Sequence, residues 1–410
     1  MGAVRSIAPP VDLAIVGASF AGLACARTAA LLGLSVAVID AKPEPGARVH
    51  TTGILVREVI DDMDLPAALM RRVRGVRLYG AGRRPLDLWA PGYYFAATDT
   101  ADLLRWLAGE TRRAGAELWL STRLVGLSED ATGVRLDLTT QGEAVSLRAR
   151  HVVGADGARS VVARHAGLGV NRHWLTGLEL GFAPTGALAA DAADGPGIDR
   201  RFLHCFLTTR HAPGYIGWVV PGPSVIQVGL AATRTHRPDL PGFLGHVADR
   251  LGVPAEALAP HTAVERRAGR IPVGGRVAAL GTRRIVLTGD AAGLVSPLTG
   301  GGIRMALASG RRAALAVVDH LVEGGPPPAE QVETAYPRLA NRRWLRRMIE
   351  SPHLVHWVAR SLDTPVVRAA ARRIFFHRTR MWPLTDATAR TAGPFSAGDA
   401  ADHRPDSAPV

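Results

Sequence analysis

An apolar run from Val11 to Val16 leads into Gly17-Ala18-Ser19-Phe20-Ala21-Gly22, after which apolar residues recur at helical spacing as far as Gly33. Ser35 to Ile39 is a second, β-branched run, closed by Asp40. The pattern predicts strand, tight turn, helix, strand. The same transition recurs twice. His151-Val152-Val153 runs into Gly154-Ala155-Asp156-Gly157-Ala158-Arg159-Ser160 ahead of a short helix. Residues 284–288 form an apolar strand, Gly289-Asp290-Ala291-Ala292-Gly293 a turn, and Gly300-Gly301-Gly302 precedes a long helix from Ile303 to about 322.

Between these transitions the periodicity changes. Residues 41–60 are a Pro/Gly-punctuated loop leading into a helix expected to start near Ile54. Residues 61–97 alternate charged turns with β-prone pieces, as in a small antiparallel insertion, where Trp89, Tyr93, Tyr94 and Phe95 fit core filling better than a pocket. Thr100 to Ala114 is an amphipathic helix with Leu103, Leu104 and Leu107 on one face. Three β runs over 116–153 form a meander. Residues 171–280 are β-rich, with strands near 201–209, 214–221 and 224–233, a short helix near 241–252 and a return strand near 265–275. From Pro326 a linker gives way to a helical, basic, Trp- and Phe-studded stretch, and the last residues are polar and rich in Pro and Gly, as disordered tails are.

Length and composition narrow the field. With 410 residues the chain can bury a large core in two or three interleaved domains. Its two cysteines, Cys25 and Cys205, supply no disulfide framework and no metal cluster, which makes a reducing cytoplasm the default. The N-terminal ten residues lack the apolar core of a targeting signal, and the apolar stretch from Val11 is broken by Gly17, Gly22, Arg27 and Gly33, unlike a membrane span. The net charge of +13 suggests nucleic acid at first sight. However, Lys42 is the only lysine among the basic residues, and the abundance of Arg, Ala, Gly and Pro matches a coding bias. No helix-turn-helix, RNP or zinc-finger pattern accompanies the charge, so no nucleic-acid partner is expected.

The chemistry lies in the three turns. A helix N-terminus offers unpaired N–H groups and a positive dipole end, and turn glycines let a pyrophosphate approach the backbone. Gly17, Ser19, Phe20, Ala21 and Gly22 form such a turn, with Ser19 in place of the middle glycine, and Asp40 is placed to accept a bond from a ribose hydroxyl. Arg48 is either a phosphate partner or a solvated loop residue, and Thr51-Thr52-Gly53 could face the ring end of a cofactor. Asp156 could cap or order the second turn, either as a plain Asx turn or as a cofactor-binding residue of a cofactor-side loop. A triple glycine weakens the start of a helix, so a close ligand explains it better than packing. The N–H groups of Gly301, Gly302 and Ile303 would stabilise negative charge on a reduced isoalloxazine ring, and Asp290 would reach a ribityl or ribose hydroxyl. Tyr215, Trp218 and Pro221 share one strand, either walling an apolar cavity or packing sheet against helix.

GASFAG with Asp40, GADGARS, and GDAAGLVSPLTGGGIRMALASG, in that order, resemble the three FAD motifs of the flavoproteins that share the p-hydroxybenzoate hydroxylase fold. Within that group the geranylgeranyl reductase family is most similar, because Gly293 follows GDAA, because of the run from Pro297, and because Tyr215 to Pro221 is similar to the family's Y-x-W-x-x-P motif with one extra residue. The resemblance spans roughly residues 10–320. It implies an α/β fold in which a Rossmann-like FAD-binding domain (10–80, 98–170 and 276–325) carries a small β insertion (81–97) and an antiparallel β substrate domain (171–275), with a C-terminal helical segment (326–390) and a tail (391–410). It adds Ala41, Lys42, Thr52, Leu124, Gly157, Gly289, Pro297 and Gly300 to the candidate cofactor-binding residues.

The activity implied is that of an FAD-dependent oxidoreductase that saturates a carbon–carbon double bond in a small apolar molecule, isoprenoid- or polyketide-like. NAD(P)H would bind transiently as electron donor, since no second dinucleotide fold is apparent. The alternatives are an NAD(P)H- and oxygen-dependent flavin monooxygenase and, more remotely, a non-catalytic binding protein. Two departures bear on lipid reduction: the family often has a cysteine where this chain has His50-Thr51-Thr52, and related flavoproteins an arginine where it has Thr100. Candidates for proton donor are Tyr215, His50 and His204, each more readily explained structurally. No metal is expected. The C-terminal helices suit a cap over the substrate domain first and a peripheral membrane contact second.

Overall fold

The computed structural model describes residues 5–6, 8–82, 84–189, 191–192, 195–296, 299–336, 350–362 and 364–369. The β-branched runs of the first transition become Val11–Val16 and Val36–Ile39, side by side and parallel, with Leu13 to Val16 and Val36 to Ile39 all buried. Strands buried on both faces read as continuous apolar runs, which is what parallel pairing under covering helices requires. Glu117–Trp119 extends this sheet beyond Val36–Ile39. On the other side lies the long strand Glu143–Gly154, which pairs antiparallel with Val134–Thr140 through its first half and parallel with Val11–Val16 and Ile285–Leu287 through its second. Thr122–Glu129 completes the meander.

Two helices cover this sheet together. Phe20–Leu31 lies against Ile303–Val318 so closely that a Cβ on Gly310 would come within 2.1 Å of the Ala21 carbonyl oxygen. The long helix stays α-helical to Val318 and closes in a π-helical turn, Asp319–Glu323.

A second, seven-stranded sheet runs in the order Glu265–Pro272, Trp174–Phe182, Ile226–Thr233, Gly217–Pro221, Phe202–Phe206, Gly75–Tyr79, Leu86–Trp89. All neighbours are antiparallel except Phe202–Phe206 with Gly75–Tyr79. One face packs on the helix Leu240–Leu251 through Leu180, Val219, Val228 and Phe243. The other face carries Trp218, Glu179, Arg267 and Ile271, and looks toward the first sheet's loops through contacts described below.

A third sheet joins Ile54–Val56, Phe95–Thr98 and Met70–Val73. Here the structure corrects the sequence expectation. Ile54 begins a strand, and the helix follows at Arg57–Met63, because Ile54-Leu55-Val56 pairs with Phe95-Ala96-Ala97 and that pairing overrides a helical start. The stretch 81–97 is likewise divided between two sheets, Leu86–Trp89 in the second and Phe95–Thr98 in the third.

Of the C-terminal segment, the helices Pro328–Ala335 and Pro352–Ser361 are described. The latter docks on the turn between Gly75–Tyr79 and Leu86–Trp89, where Ala81 N–H donates to Ala359 O at 3.0 Å. The expected disordered tail, 391–410, lies outside the described residues. Among the described residues no helix is long and apolar enough to cross a membrane.

Candidate cofactor and substrate site

Val16, Gly154 and Leu287 occupy one row across three adjacent parallel strands, Gly154 pairing with both of the others. The three turns therefore leave the sheet side by side, at the carboxyl ends of its strands, where open α/β sheets bind ligands. Backbone bonds stitch them together: Ala155 N–H donates to Val16 O at 2.8 Å and Thr288 N–H to Gly154 O at 2.9 Å. Asn171, which the sequence did not single out, spans the second and third turns by donating to Ala158 O at 3.2 Å and Asp290 O at 2.8 Å.

In the first turn Gly17 has φ +112°, and a Cβ there would sit 2.4 Å from Ala155 O; on Gly22 it would lie 1.8 Å from Gly17 O. Only glycine fits either place. Ser19, tolerated at the middle position, N-caps the helix in extended backbone and makes no side-chain capping bond. With no acidic residue in its first turn, the helix leaves its N–H groups and dipole uncompensated. Phe20 and Ala21 are buried beneath.

Asp40 accepts from Ala18 N–H at 2.6 Å and from Lys42 N–H at 2.8 Å, one bond to each carboxylate oxygen. Each oxygen keeps a lone pair for a further donor. Ala41 is exposed between them, and Lys42 Nζ donates to Arg48 O at 3.3 Å, leaving the Arg48 side chain exposed. Leu124 is buried in a strand whose start is held to this corner by Thr122 N–H donating to Asp40 O at 2.9 Å.

Asp156 Oδ2 takes the N–H groups of Val161 and Val162 at 2.5 and 3.1 Å, while its Oδ1 is buried with no partner among the described residues. Gly157 follows with φ +81°. In the third turn, Gly289 (φ +56°) brings the backbone against Ala21, and Gly300 (φ +64°) against Tyr215, whose hydroxyl would be 2.5 Å from a Cβ there. Gly302 caps the long helix without a side-chain bond, and Gly301 is exposed beside it. Ile303 is its first helical residue. Pro297 lies outside the described residues. The Asp290 carboxylate makes no hydrogen bond among the described residues, although burial alone pushes it up to about 6. It lies 3.3 Å from where a Gly302 Cβ would be.

The second sheet brings its aromatics to this third turn. Tyr215 O–H donates to Thr299 O, and Leu175, Ala231, Ile271 and Trp218 surround Tyr215 as a small apolar cluster. Trp218 is half-buried, and Pro221, buried, ends the same strand. Thr52 arrives from the loop after the second strand, its hydroxyl donating to Glu179 at 2.9 Å. His50, two residues earlier, is exposed, with Nδ1 2.8 Å from Ala268 O. His204 is elsewhere. It pairs with Val219, on the face opposite Trp218, and both its nitrogens are engaged, Nδ1 with Tyr79 Oη and Nε2 with Asp199 O, each at 2.9 Å. Burial holds it down at about 4.

Glu179 and Arg267 are functional-looking residues that sequence reasoning missed. Both are charged yet nearly wholly buried, and Glu179 is pushed upward by burial while Arg267 and the bonds from Trp218 and Thr52 pull it back. A charged residue inside the otherwise apolar run LTGLELGF was the available signal.

Comparison with known proteins agrees with this geometry. The model of the FAD binding domain family matches residues 10–323. A menaquinone reductase of Mycolicibacterium smegmatis is 31% identical over 355 residues, covering 82% of this chain and 81% of that protein. A digeranylgeranylglycerophospholipid reductase of Methanosarcina acetivorans is 28% identical over 347 residues, covering 81% and 80%. Among solved structures, a geranylgeranyl bacteriochlorophyll reductase-like protein of Thermoplasma acidophilum superposes with a TM-score of 0.74 at 21% identity, covering 90% of this chain and 97% of that one. A flavin-dependent brominase gives 0.66 at 16% identity, covering 89% and 93%. The last two likenesses concern the fold alone.

Proposed function

The chain belongs to the FAD binding domain family and is an FAD-dependent oxidoreductase, and we propose that it saturates a carbon–carbon double bond in a small apolar, isoprenoid-like molecule. The observation that carries this is the meeting of the glycine-lined third turn with Tyr215, which lies just ahead of the strand Gly217–Pro221 rather than within it as the sequence suggested, and with Trp218 on that strand. A cofactor seat and an apolar wall adjoin there. The curated relatives support the substrate class, being named for molecules that carry polyprenyl chains.

The residues present fit FAD. Three turns in one row, a helix start with uncompensated N–H groups, and a half-buried Asp290 carboxylate with no hydrogen bond among the described residues are the partners that a pyrophosphate and a polyol chain need. In this assignment Ser19 to Gly22 hold the pyrophosphate, Asp40 a ribose hydroxyl and Asp290 a hydroxyl of the ribityl chain. Gly302 and Ile303 would offer their N–H groups and the dipole of the long helix to the ring, whereas the Gly301 N–H, expected to join them, donates to Thr299 Oγ1 at 3.3 Å. Bound FAD supplies hydride-transfer chemistry. The chain's contribution is orientation and dryness: Tyr215 braces the Thr299-Gly300 turn, and Leu175, Ala231, Ile271 and Trp218 exclude water where the apolar substrate would lie.

NAD(P)H is proposed as a transient electron donor, because no second dinucleotide fold is apparent among the described residues. A cytoplasmic placement accords with two free thiols, Cys25 buried and Cys205 partly so, and a peripheral contact of the basic C-terminal stretch with membrane accords with a lipid substrate. The test is product mass. FAD-loaded protein given NAD(P)H and a polyprenyl lipid under argon is expected to yield lipid heavier by two hydrogen atoms, whereas lipid altered only in air, and then by one oxygen atom, would establish the monooxygenase alternative.

A further inference from the structure

Glu179 occupies the middle of a row that crosses the second sheet. Arg267 is its cross-strand partner on one side, Gly229 on the other, and Trp218 follows Gly229 in the same row. Gly229 supplies the gap through which the indole reaches the carboxylate, since a Cβ there would lie 2.8 Å from Trp218 Nε1. Trp218 Nε1–H donates to Glu179 Oε2 at 2.7 Å, and Thr52 O–H donates to the same oxygen at 2.9 Å. Arg267 Nη1 stands 3.4 Å from Glu179 Oε1 and donates to Thr51 O at 3.0 Å. Its Nη2 donates to Glu265 Oε2 at 2.6 Å. The side chains of Glu179 and Arg267 are 5% and 8% exposed, that of Glu265 37%.

A buried ion pair is seldom more stabilising than apolar residues of the same shape. Its position here, with one member holding the Thr52 hydroxyl and the Trp218 indole and the other the Thr51 carbonyl, points to a different use. We propose that Glu179 and Arg267 are positioning residues that clamp the Thr51-Thr52 loop to the Trp218 wall and set the charge felt at the ring end of bound FAD. This deepens the assignment of the site made above and rests on it. In a water-poor interior, charges act strongly over several ångströms. A nearby carboxylate opposes electrons added to the ring, and a nearby guanidinium favours them. The pair balances the two, with the half-exposed Glu265 as the third charge on the same face.

The test is the midpoint potential of the flavin bound to the full-length protein, compared among wild type, Glu179→Gln, Arg267→Met and the double variant. Glu179→Gln is expected to raise the potential, Arg267→Met to lower it, and the double variant to return toward wild type. Shifts of one sign in both single variants, or no shift in either, would overturn the proposal. Should a single charge variant lose FAD or fail to fold, Trp218→Phe and Thr52→Val remove the two donors without stranding a charge. Because both donate to one oxygen, the double donor variant should perturb the visible circular dichroism of the bound flavin no more than about the larger single effect, and simple addition of the two would equally overturn the clamp. Wild-type protein that binds no FAD would instead overturn the underlying site assignment, and that is seen before any variant is made.

Discussion

Ala18 donates its backbone N–H to Asp40 Oδ2 at 2.6 Å, joining the first turn to the end of the second strand across 22 positions of chain. The other oxygen holds Lys42 N–H, so one carboxylate fixes both sides of the corner where a ribose would lie. Asp40→Ala removes both acceptors and the ribose partner together. A lost bond to a charged acceptor is worth roughly 1–3 kcal/mol, so FAD affinity is expected to fall about tenfold to hundredfold. Fluorescence titration of the apoprotein with FAD measures this, and unchanged affinity would remove Asp40 from the site.

Asp290 gives the site a pH signature. Burial pushes its carboxyl up to about 6, and a ligand hydroxyl is bonded more strongly by the ionised form. Binding then favours deprotonation, so FAD affinity should weaken as pH falls through about 6. In Asp290→Asn the affinity should be lower at neutral pH and flat across this range. A wild-type titration that is itself flat contradicts the assignment.

Acid should also loosen the fold, through His151 and His204. Both are buried, and burial, the leading cause, holds each down at about 4 from an ordinary 6.5. Between these values the unfolded chain binds more protons than the folded one, so stability rises with pH. It is complete above about 6.5 and is lost as pH falls toward 4, by about 3 kcal/mol for each group. His151 has neither ring nitrogen hydrogen-bonded among the described residues, so His151→Leu should flatten the acid slope of urea-unfolding stability with little harm at neutral pH. An unaltered slope would show that other groups govern acid unfolding.

Two glycines separate close packing from mere propensity. Gly310→Ala would drive a Cβ to 2.1 Å from Ala21 O and push the two covering helices apart, at a cost of about 1–3 kcal/mol. Gly245, inside Leu240–Leu251, has open space where a Cβ would go, and Gly245→Ala should stabilise by about 0.5–1 kcal/mol. Urea midpoints moving in opposite directions at a constant slope are the expected result.

The three turns were legible because glycine and a following acid leave a local mark: Gly17, Gly22, Asp40 and Asp156 are each explained by neighbours a few residues away in sequence or by one parallel strand, whereas the reason for Gly300, its approach to Tyr215, appears only in the fold. The stretch from Tyr215 to Pro221 was legible as a wall with two readings, and the Tyr215–Thr299 contact decided which turn it faces. Glu179 stood out only as a charge inside an apolar run, and Arg267 resembled an ordinary strand charge until the register put the two opposite one another. Nor was the Ile54 strand, a three-residue apolar run whose periodicity cannot distinguish helix from strand and whose partner, Phe95-Ala96-Ala97, is forty residues on.

In the proposed reaction, reduced flavin in this protein passes its electrons directly to a carbon–carbon double bond. The most direct measurement mixes the reduced, FAD-loaded protein under argon with a polyprenyl lipid and follows the return of the yellow oxidised absorbance. Lipid-dependent return of that colour without oxygen, matched mole for mole by a product carrying two more hydrogen atoms, is the expected result. A flavin that stays reduced until air is admitted, with oxygen then found in the lipid, would contradict it.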